Sequence, residues 1–574
     1  IEFPQPVSQR LTGHALIHGL LRLGLYRRAH VVAKIMLDNG VPIRTRTFES
    51  ILEVLVTSDG STPRSAGPEF FIYLKNLLFQ RSVLSLNPSL VGGKGSRAAF
   101  DLFMCARNQK NQARTERMYR ALIGSLLFHG ELIAACLLFT AILKDCAVRD
   151  AIARQLTSPE LKENLELELQ TVDHYRFLRR SSPYPSFDIL KEIIACIAEV
   201  LSKDTDEAHK IPFHAALQAL ANLAYMLDIR QIPYPHLSSL IRLLYRCPKC
   251  DNVVWIIRTD NQPVQVNAYD YFHLVLHRLI RKPPRHRPEP RKLKSIARWE
   301  PTLYNSRPLD LPACNSLLYY ALRHRLSPQL AENVLQYMQD PFWKHSGFRR
   351  PAPNVGTFNI LLSAGRILRS PIIAETVLQK FQSLNERGLG TIHAVSSPSS
   401  SPTNFDTTKW FSNGRFSKSL RRLASESHEL SIPQSKRIHA DSYTLSSYIS
   451  YLVSTGRPQV VPSILFQLLP ELAIVDHPSW GDLDPEDVKL LRRQSREECL
   501  RRVVIYGPHF FVNVLNAVVK AGRTGLAERV WHLAKEAERA SWLTAFNENR
   551  VKPWCLPVHA YTLMLVCYGS EARK

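Results

Sequence analysis

The segment from residue 15 to residue 55 contains a helical pattern that stops and then starts again. Apolar residues recur every three or four positions from Leu16 to Leu23 and again from Ala29 to Met36, which is the spacing of two amphipathic helices. Gly24 separates the two segments and Gly40 follows the second, and glycine suits such turns because it adopts left-handed backbone conformations without strain. The pattern restarts at Ile51, 35 residues after Leu16. This period predicts a repeated helical hairpin.

The same hairpin pattern recurs along the rest of the chain. Each full copy has a striped segment, a turn that holds glycine in several copies, and a second striped segment, and the last copy begins without completing the pattern. These copies lie at residues 118–143, 313–338, 354–381, 441–469, 510–534 and 557–569. A hairpin of this length cannot bury its apolar face alone and must stack on its neighbours. The sequence therefore predicts an all-α fold, an α-solenoid superhelix of helical hairpins.

The repeats are regular in some parts of the chain and degenerate in others. The predicted segments are N-terminal hairpins at 1–57, a degenerate helical region with loops at 58–110, a hairpin at 111–150, degenerate helical repeats at 151–280, a basic proline-rich linker at 281–310, hairpins at 311–388, a serine-rich disordered insertion at 389–437 and C-terminal hairpins at 438–574. The chain starts at Ile1 and stops inside a new hairpin. We therefore expect a fragment or a processed form whose last hairpin is truncated.

The charge of the chain indicates the class of its partner. There are 74 Lys and Arg residues against 50 Asp and Glu residues, a formal charge of +24. A polyanion is the natural partner, nucleic acid first and an anionic membrane second. The longest apolar run, from Leu132 to Leu143, is too short to span a bilayer, so no transmembrane helix is expected. The 10 cysteines lie mostly in apolar helical patterns, which indicates reduced cysteines in a reducing compartment.

Several hairpins begin with similar residues. The sequences at these starts are PNVGTFNILLSAGR (353–366), ADSYTLSSYI (440–449), RTRTFESIL (44–52) and PVHAYTLML (557–565). They resemble the pentatricopeptide repeat, in its fungal mitochondrial type. The tetratricopeptide repeat has nearly the same length, but it prefers a Trp and Leu-Gly-Tyr signature and usually binds peptides. The Thr-Phe-Asn start and the positive charge favour the pentatricopeptide repeat.

The resemblance implies a function as well as a fold. Pentatricopeptide hairpins bind single-stranded RNA without catalysis, and each repeat reads about one base with two or three side chains. The implied setting is the mitochondrial matrix, with an mRNA, a tRNA precursor or an rRNA as partner in RNA processing, stability or translation. The alternative is a structural scaffold that docks to the mitochondrial ribosome or to other proteins. A strand reader would carry Lys and Arg on the face formed by the first helices, whereas a docking scaffold would carry them on the outer face and in residues 281–299.

The resemblance also places the base-reading side chains. One reader lies near the start of a repeat's first helix, and in this chain that position falls on His14, Glu49, Arg120, Asn315, Asn359, Ser446, Val512 and Thr562. The other reader is the last residue of the repeat, which falls on Arg44, Asp150, Asn354, Asp441 and Pro557. Two combinations match usual readers of the family, Asn315 with Asn354 and Asn359 with Asp441, and both imply pyrimidines. The base-reading candidates are Asn315, Asn354, Asn359, Asp441, Ser446 and Thr562.

Two of these assignments have alternatives. Asn315 and Asn359 could instead cap their helices, because Asn accepts hydrogen bonds from backbone N–H groups in a first turn. The basic linker could hold RNA phosphates while Trp299 stacks on a base, or it could be a solvated loop. The phosphate candidates are Arg281, Lys282, Arg285, Arg287, Arg291, Lys292 and Lys294.

Four residues have the chemistry of a zinc site, although their spacing is unfavourable. Cys247 and Cys250 form a Cys-x-x-Cys pair, and His273 and His277 follow one helical turn apart. The gap between the two pairs is longer than that of a compact zinc finger, and both histidines suit an ordinary solenoid helix. We therefore predict no metal and no other cofactor. No Ser/His/Asp or Cys/His arrangement is evident in the sequence, so it gives no positive case for an enzyme.

Overall fold

The computed structural model describes most of the chain, and the described part is mainly helical. The chain divides into two compact units, residues 1–313 and 314–574. The all-α prediction is confirmed at this level. The described residues are 8–58, 67–109, 112–155, 184–203, 210–258, 262–281, 308–340, 343, 350–368, 370–379, 414–429, 441–469, 472, 497, 500–543 and 551–572.

The first unit contains helices and one pair of strands. In chain order they are α1 Gln9–Arg22, α2 Tyr26–Asp38, α3 Thr45–Thr57, α4 Pro68–Leu78, α5 Lys94–Asn108, α6 Glu116–Phe128, α7 Leu132–Gln155, α8 Phe187–Ser202, α9 Lys210–Asp228, α10 Ser238–Arg246, β1 Val253–Ile257, β2 Pro263–Asn267 and α11 Ala268–Arg281. Short 3-10 turns lie at Arg81–Leu84 and Pro88–Leu90.

The second unit is helical throughout its described residues. Its helices are α12 Leu311–Tyr319, which crosses the unit boundary and continues as a π-helical turn at Tyr320–His324, α13 Pro328–Gln339, α14 Val355–Ile367, α15 Pro371–Gln379, α16 Gly414–Glu429, α17 Ser442–Ser454, α18 Val460–Leu468, α19 Gly507–Lys520, α20 Thr524–Trp542 and α21 Val558–Glu571. A 3-10 turn at Val504–Tyr506 precedes α19.

Most helices pair as hairpins, and the first helices of successive hairpins contact each other. In the first unit α1 contacts α3, α3 contacts α6, and α6 contacts α8. In the second unit α14 contacts α17, α17 contacts α19, and α19 contacts α21. The contacts bury the apolar stripes that the sequence shows, for example Phe48, Ile51 and Leu52 of α3, all with no exposed surface. Burial of these side chains supplies the main driving force for packing.

The turn glycines have the backbone conformation that the sequence predicts. Gly24, between α1 and α2, has a φ angle of +70°, in the left-handed region. The equivalent turns hold Gly130, Gly456 and Gly522 with φ angles of +77°, +75° and +70°. In the turn between α12 and α13, Leu326 takes this place at a φ angle of +48°. A residue with a Cβ is strained in this region, which explains why glycine recurs there.

Two glycines of the first hairpin should respond to alanine in opposite directions. Gly19 lies inside α1 and Gly24 lies at the turn, and an added Cβ has no atom within 4 Å at either position. Gly19→Ala should raise the free energy of unfolding by up to about 1 kcal/mol, because alanine favours helix. Gly24→Ala should lower it by about 1–2 kcal/mol because of left-handed strain. Urea unfolding followed by circular dichroism measures both, and equal effects of one sign would contradict the assigned turn.

An antiparallel β-hairpin interrupts the region predicted as degenerate helical repeats at 151–280. Strands β1 and β2 pair with Val254 opposite Val266 and Ile256 opposite Val264. The outer edge of β1 is held by Gln218 of α9, whose amide accepts from the Trp255 N–H at 2.8 Å and donates to the Trp255 carbonyl at 2.9 Å. These residues form strands inside a segment that the sequence analysis describes only as degenerate helical repeats. Their β-branched and aromatic side chains favour strand.

Helix α16 lies inside the segment predicted to be a disordered insertion, 389–437. It packs on α13 and α15 and buries Leu423, Ala424 and Ser427, and the Glu426 carboxylate accepts a hydrogen bond from Gln336 at 3.1 Å. The prediction of disorder is therefore wrong for residues 414–429. The serine-rich composition obscured a short amphipathic stripe, which α13 and α15 cover. The other residues of the predicted insertion lie outside the described part.

One helical stretch meets the criteria for a membrane span by length and composition. It runs over Leu500–Lys520 with a mean hydropathy of 1.3, and 44% of its most apolar window is buried inside the protein. The stretch includes the 3-10 turn, and Gly507 has a left-handed φ angle of +75°. Phe510 and Phe511 are buried, as expected of a core helix. Among the described residues this is the single candidate, and it is weak evidence for a membrane span.

Candidate functional site

The residue pair Asn315 and Asn354 forms a hydrogen-bonded group between α12 and α14. Asn354 is the N-cap of α14, and its side-chain oxygen accepts from the Thr357 N–H at 3.0 Å. Asn315 donates to that oxygen from its amide nitrogen at 3.3 Å. The Thr357 hydroxyl completes the group by donating to the Asn315 side-chain oxygen at 2.8 Å. The two candidate readers therefore lie in direct contact, held by a buried threonine.

The pair Asn359 and Asp441 repeats this arrangement between α14 and α17. Asp441 is the N-cap of α17 and accepts from the Thr444 N–H at 2.7 Å. Asn359 donates to Asp441 at 3.3 Å, and the Thr444 hydroxyl donates to Asn359 at 2.7 Å. Asn359 and Asp441 are 82 residues apart in sequence. The insertion between them therefore does not separate the helices that carry them.

Related contacts join three pairs of helices in the first unit. The Arg44 N–H, at the N-cap of α3, donates to His14 Nε2 of α1 at 2.8 Å. Further along the unit the N-cap residues of α6 and α8 make the corresponding contacts, Thr115 with Glu49 at 2.5 Å and Ser186 with Arg120 at 3.2 Å. We call these five pairs the cap contacts: His14 with Arg44, Glu49 with Thr115, Arg120 with Ser186, Asn315 with Asn354 and Asn359 with Asp441.

The cap contacts start at nearly the same place in each first helix. Four of them start at the fifth residue of a helix, namely Glu49, Arg120, Asn315 and Asn359, and the other starts at His14, the sixth residue of α1. Each ends at the N-cap of the next first helix. The assigned last position Asp150 lies inside α7, which runs to Gln155, and in the described residues Arg120 contacts Ser186 instead.

The remaining candidate readers do not form a cap contact in the described residues. Ser446 is the fifth residue of α17 and accepts from the Asn513 amide of α19, which is not a cap residue. Thr562 is the fifth residue of α21, is exposed, and donates to the Val558 carbonyl of its own helix at 3.2 Å. Pro557 is the N-cap of α21, as its predicted position requires. Val512 is the sixth residue of α19.

Asn315 and Asn359 do not cap their own helices, so the capping alternative is wrong. Both residues lie inside their helices and donate to the cap of the next first helix, while Asp310 and Asn354 accept from the first turns of α12 and α14. The reader inside the helix and the cap residue differ in exposure. Asn359 is 5% exposed, whereas the cap residues Asn354 and Asp441 are exposed. A ligand would therefore reach the cap member of the Asn359–Asp441 pair first.

Positive charge lies close to the cap contacts in the first unit. Five exposed arginines are near the starts of α1, α3 and α6, namely Arg10, Arg44, Arg46, Arg117 and Arg120. Arg117 pairs with Glu53 at 2.7 Å and Arg120 with Glu116 at 3.3 Å. In the second unit the first helices α12, α14, α17, α19 and α21 carry Lys or Arg at only two positions, Arg366 and Lys520, both in a last turn. The cations and the amide readers are thus in different units.

The predicted phosphate-binding linker falls almost entirely outside the described residues. Arg281 is the last residue of α11. The other candidates, together with Trp299, lie outside the described part: Lys282, Arg285, Arg287, Arg291, Lys292 and Lys294. The role of this linker therefore stays a prediction.

The possible zinc ligands are not gathered into a site. Cys247, Cys250, His273 and His277 are all described, and no group of three or more His, Cys, Asp or Glu side chains in the described part could hold a metal ion. Burial, followed by the neighbouring Cys250, raises the pKa of Cys247 to about 12, so its thiol is protonated at neutral pH. His273 packs edge-on against the Tyr269 ring at 4.2 Å between centroids. These contacts are those of a packed helix.

The threonines at the cap contacts are not among the residues that the sequence analysis singled out. Thr357 and Thr444 have no exposed surface, and each follows its cap residue by three positions. In the first unit Thr47 follows Arg44 by the same spacing and hydrogen-bonds His18 Nε2 at 3.2 Å. The recurrent Thr at the hairpin starts was the signal, since a side chain three residues after a cap can bond back to it.

Removal of one threonine hydroxyl should loosen a cap contact. Thr444→Val keeps the shape but leaves the buried Asn359 oxygen without its donor, so we expect about 2–3 kcal/mol less free energy of unfolding. Urea titration followed by circular dichroism checks this. The matched control is Thr562→Val at an exposed position of α21, which should change stability by no more than about 0.5 kcal/mol. Equal effects at the two positions would show that the Thr444 hydroxyl does not hold the contact.

Comparison with known proteins adds no identification. No protein-family model matches the chain, and no curated protein matches it. The case for a function therefore depends on the cap contacts and on the distribution of charge.

Proposed function

We propose that this chain is a non-catalytic single-stranded RNA-binding protein, an α-solenoid of pentatricopeptide-like hairpins. The proposed setting is the mitochondrial matrix, in RNA processing, stability or translation. The observation that carries the proposal is the recurrence of the cap contacts, four of which start at the fifth residue of a first helix and end at the N-cap of a later one. Reading of successive bases by successive repeats requires a recurring pair of side chains at a fixed place in each hairpin.

The chemistry of the second-unit pairs supports base recognition. Asn315 with Asn354 presents amide donors and acceptors, and Asn359 with Asp441 presents an amide beside a carboxylate. Such groups hydrogen-bond the exposed edges of unpaired bases. Within each pair, an arriving base replaces one hydrogen bond of about 3.3 Å with its own. The proposed readers are four of the six candidates that the sequence predicts, Asn315, Asn354, Asn359 and Asp441.

The charge of the first unit supports contact with the RNA backbone. Arg44 and Arg46 are exposed beside the α3 cap, and Arg120 takes part in a cap contact itself. Phosphate contacts by Arg and Lys supply affinity but little sequence information. We assign backbone binding chiefly to the first unit and base reading chiefly to the second, which explains why His14 and Glu49 do not match usual readers.

A docking scaffold is the second candidate, and helix α16 favours it. Lys418, Arg421 and Arg422 are exposed on α16, which packs on the second helices α13 and α15 and not on the first helices. Cations in this position suit contact with a large structured RNA such as rRNA. On this reading the cap contacts serve only to hold hairpins together.

Fluorescence anisotropy with two labelled RNAs, a single strand and its duplex, separates these candidates. The proposed function predicts tight binding of a single-stranded RNA and weaker binding of the same strand paired to its complement, because paired bases expose no free edges to the readers. A scaffold that binds through α16 should bind the duplex as well as the strand and should lose affinity in Lys418→Gln with Arg421→Gln. Equal affinity for strand and duplex in the wild type would reject the strand-binding function.

A further inference from the structure

A cavity in the first unit has the composition of a small-ligand site. It has a volume of about 200 Å³ and lies between α7, α9 and β1. Its wall combines aliphatic side chains with two aromatic rings, Tyr225 and Trp255, and with the polar side chains Thr140 and Asn222. Ligand sites are commonly concave and mostly apolar, with a few polar groups that fix orientation. The cap contacts involve none of these residues.

Both aromatic rings of the cavity carry a cation above them. Lys144 Nζ lies 5.6 Å from the centroid of Tyr225, and the Arg81 guanidinium lies 5.9 Å from that of Trp255. Among the described residues neither cation has a carboxylate partner. Partial burial and the charge of Arg107 lower the pKa of Lys144, so an anion placed there would be stabilised by an uncompensated charge.

The cavity also offers an unused hydrogen-bond donor. The indole Nε1 of Trp255 is buried and has no acceptor within the part of the chain that the structure describes. The Asn222 amide donates to the Val83 carbonyl at 3.4 Å, at the limit of a hydrogen bond. Both groups could therefore bond a polar ring that enters the cavity.

We propose that this cavity binds a nucleotide, with a pyrimidine-sized base against Tyr225 and Trp255 and the phosphate at Lys144. A cavity of about 150 Å³ holds one benzene ring, so the space here suits a single base and not a base pair. Unpaired bases stack on aromatic side chains, and Lys or Arg binds the phosphate. The nucleotide is either free or part of an RNA strand, and neither case depends on base reading at the cap contacts.

Uridine 5′-monophosphate is the probe, with the full chain in solution. Saturation-transfer NMR should show base protons in contact with the protein, and calorimetry should show uridine binding about tenfold or more weakly, because it lacks the charged group. Lys144→Met should weaken binding of the monophosphate by a similar factor and leave binding of uridine unchanged. Ala141→Leu, which fills the cavity, should weaken binding of both ligands. The matched control Lys520→Met, in the second unit, should change neither.

Several results would overturn the nucleotide site. Absence of saturation transfer to the monophosphate does so, as does binding that neither Lys144→Met nor Ala141→Leu alters. Lys144 lies on the exposed rim, so its variant tests the proposal even where Ala141→Leu fails to fold. If an oligouridine displaces the monophosphate, the site binds part of an RNA strand. If the monophosphate binds equally well in the presence of the oligouridine, the site binds a free nucleotide. If the protein binds a single-stranded RNA but not the monophosphate, the nucleotide site is rejected and the proposed RNA-binding function is not.

Discussion

The affinity of this protein for single-stranded RNA should fall on the order of 100-fold when salt rises from about 50 to about 200 mM. Each phosphate neutralised on a single strand contributes about 0.7 to the slope of log K against log salt, and about five phosphates give this drop. The estimate assigns one phosphate to each of the five exposed arginines near the starts of α1, α3 and α6. The formal charge of +24 and the exposed arginines near the starts of α1, α3 and α6 make this contribution large.

A double variant tests where this charge acts. Arg44→Gln with Arg46→Gln should lower the slope by about 1.4, since each arginine is assigned one phosphate. Arg421→Gln with Arg422→Gln on α16 is the matched control and should leave the slope unchanged. Anisotropy titrations at four salt concentrations measure both slopes. The reverse outcome, in which only the α16 variant lowers the slope, would favour docking through the second-helix side.

Loss of the Asp145 carboxylate should be the most destabilising polar change in the first unit. Asp145 lies on α7 and accepts from Arg107 of α5 at 2.7 and 2.8 Å, and from Arg114 at 3.0 Å. The Asp145 side chain is 20% exposed and that of Arg114 is 12% exposed, so solvent compensates little for its removal. Asp145→Asn should lower the free energy of unfolding by about 3 kcal/mol, because it removes the shared countercharge of two largely buried guanidinium groups.

The comparison residue for this experiment is an exposed aspartate. Asp188 forms a pair with Lys191 at 3.0 Å in which both side chains are more than half exposed. Asp188→Asn should therefore leave the urea midpoint unchanged, since exposed pairs contribute little. Thermal and urea unfolding of the two variants compare them directly. An Asp145→Asn protein as stable as the Asp188→Asn protein would show that the α5–α7 ion pairs do not hold the unit together.

The sequence predicts those features that depend on local periodicity. Apolar spacing predicts the hairpin helices, and glycine predicts the left-handed turns at Gly24 and Gly456. Alignment of hairpin starts also predicts that Asn315 belongs with Asn354, and these side chains are in contact. A side chain five residues into one helix and the cap of the next are fixed by the geometry of each hairpin, so register alone is sufficient to pair them.

Features that depend on distant partners could not be predicted in this way. The β-hairpin is held by Gln218, which is distant in sequence from β1, and α16 is covered by α13 and α15. Ser186 could not be found as a cap because residues 158–203 contain no glycine to mark a turn. The nucleotide cavity combines residues from α7, α9 and β1, and none of them forms a motif in sequence. In each case tertiary contacts decide the outcome.

Selection of bound RNA from a random pool tests the central claim most directly. Wild type, Asn359→Ala and the control Thr376→Ala, on the second helix α15, are each equilibrated with the pool, and the bound strands are sequenced. The pairing of Asn359 with Asp441 predicts a motif that is rich in pyrimidines, in which Asn359→Ala changes the preference at one position and leaves its neighbours unaltered. The control should select the wild-type motif. A motif identical in wild type and Asn359→Ala, or no enriched motif in any sample, would contradict base reading at the cap contacts.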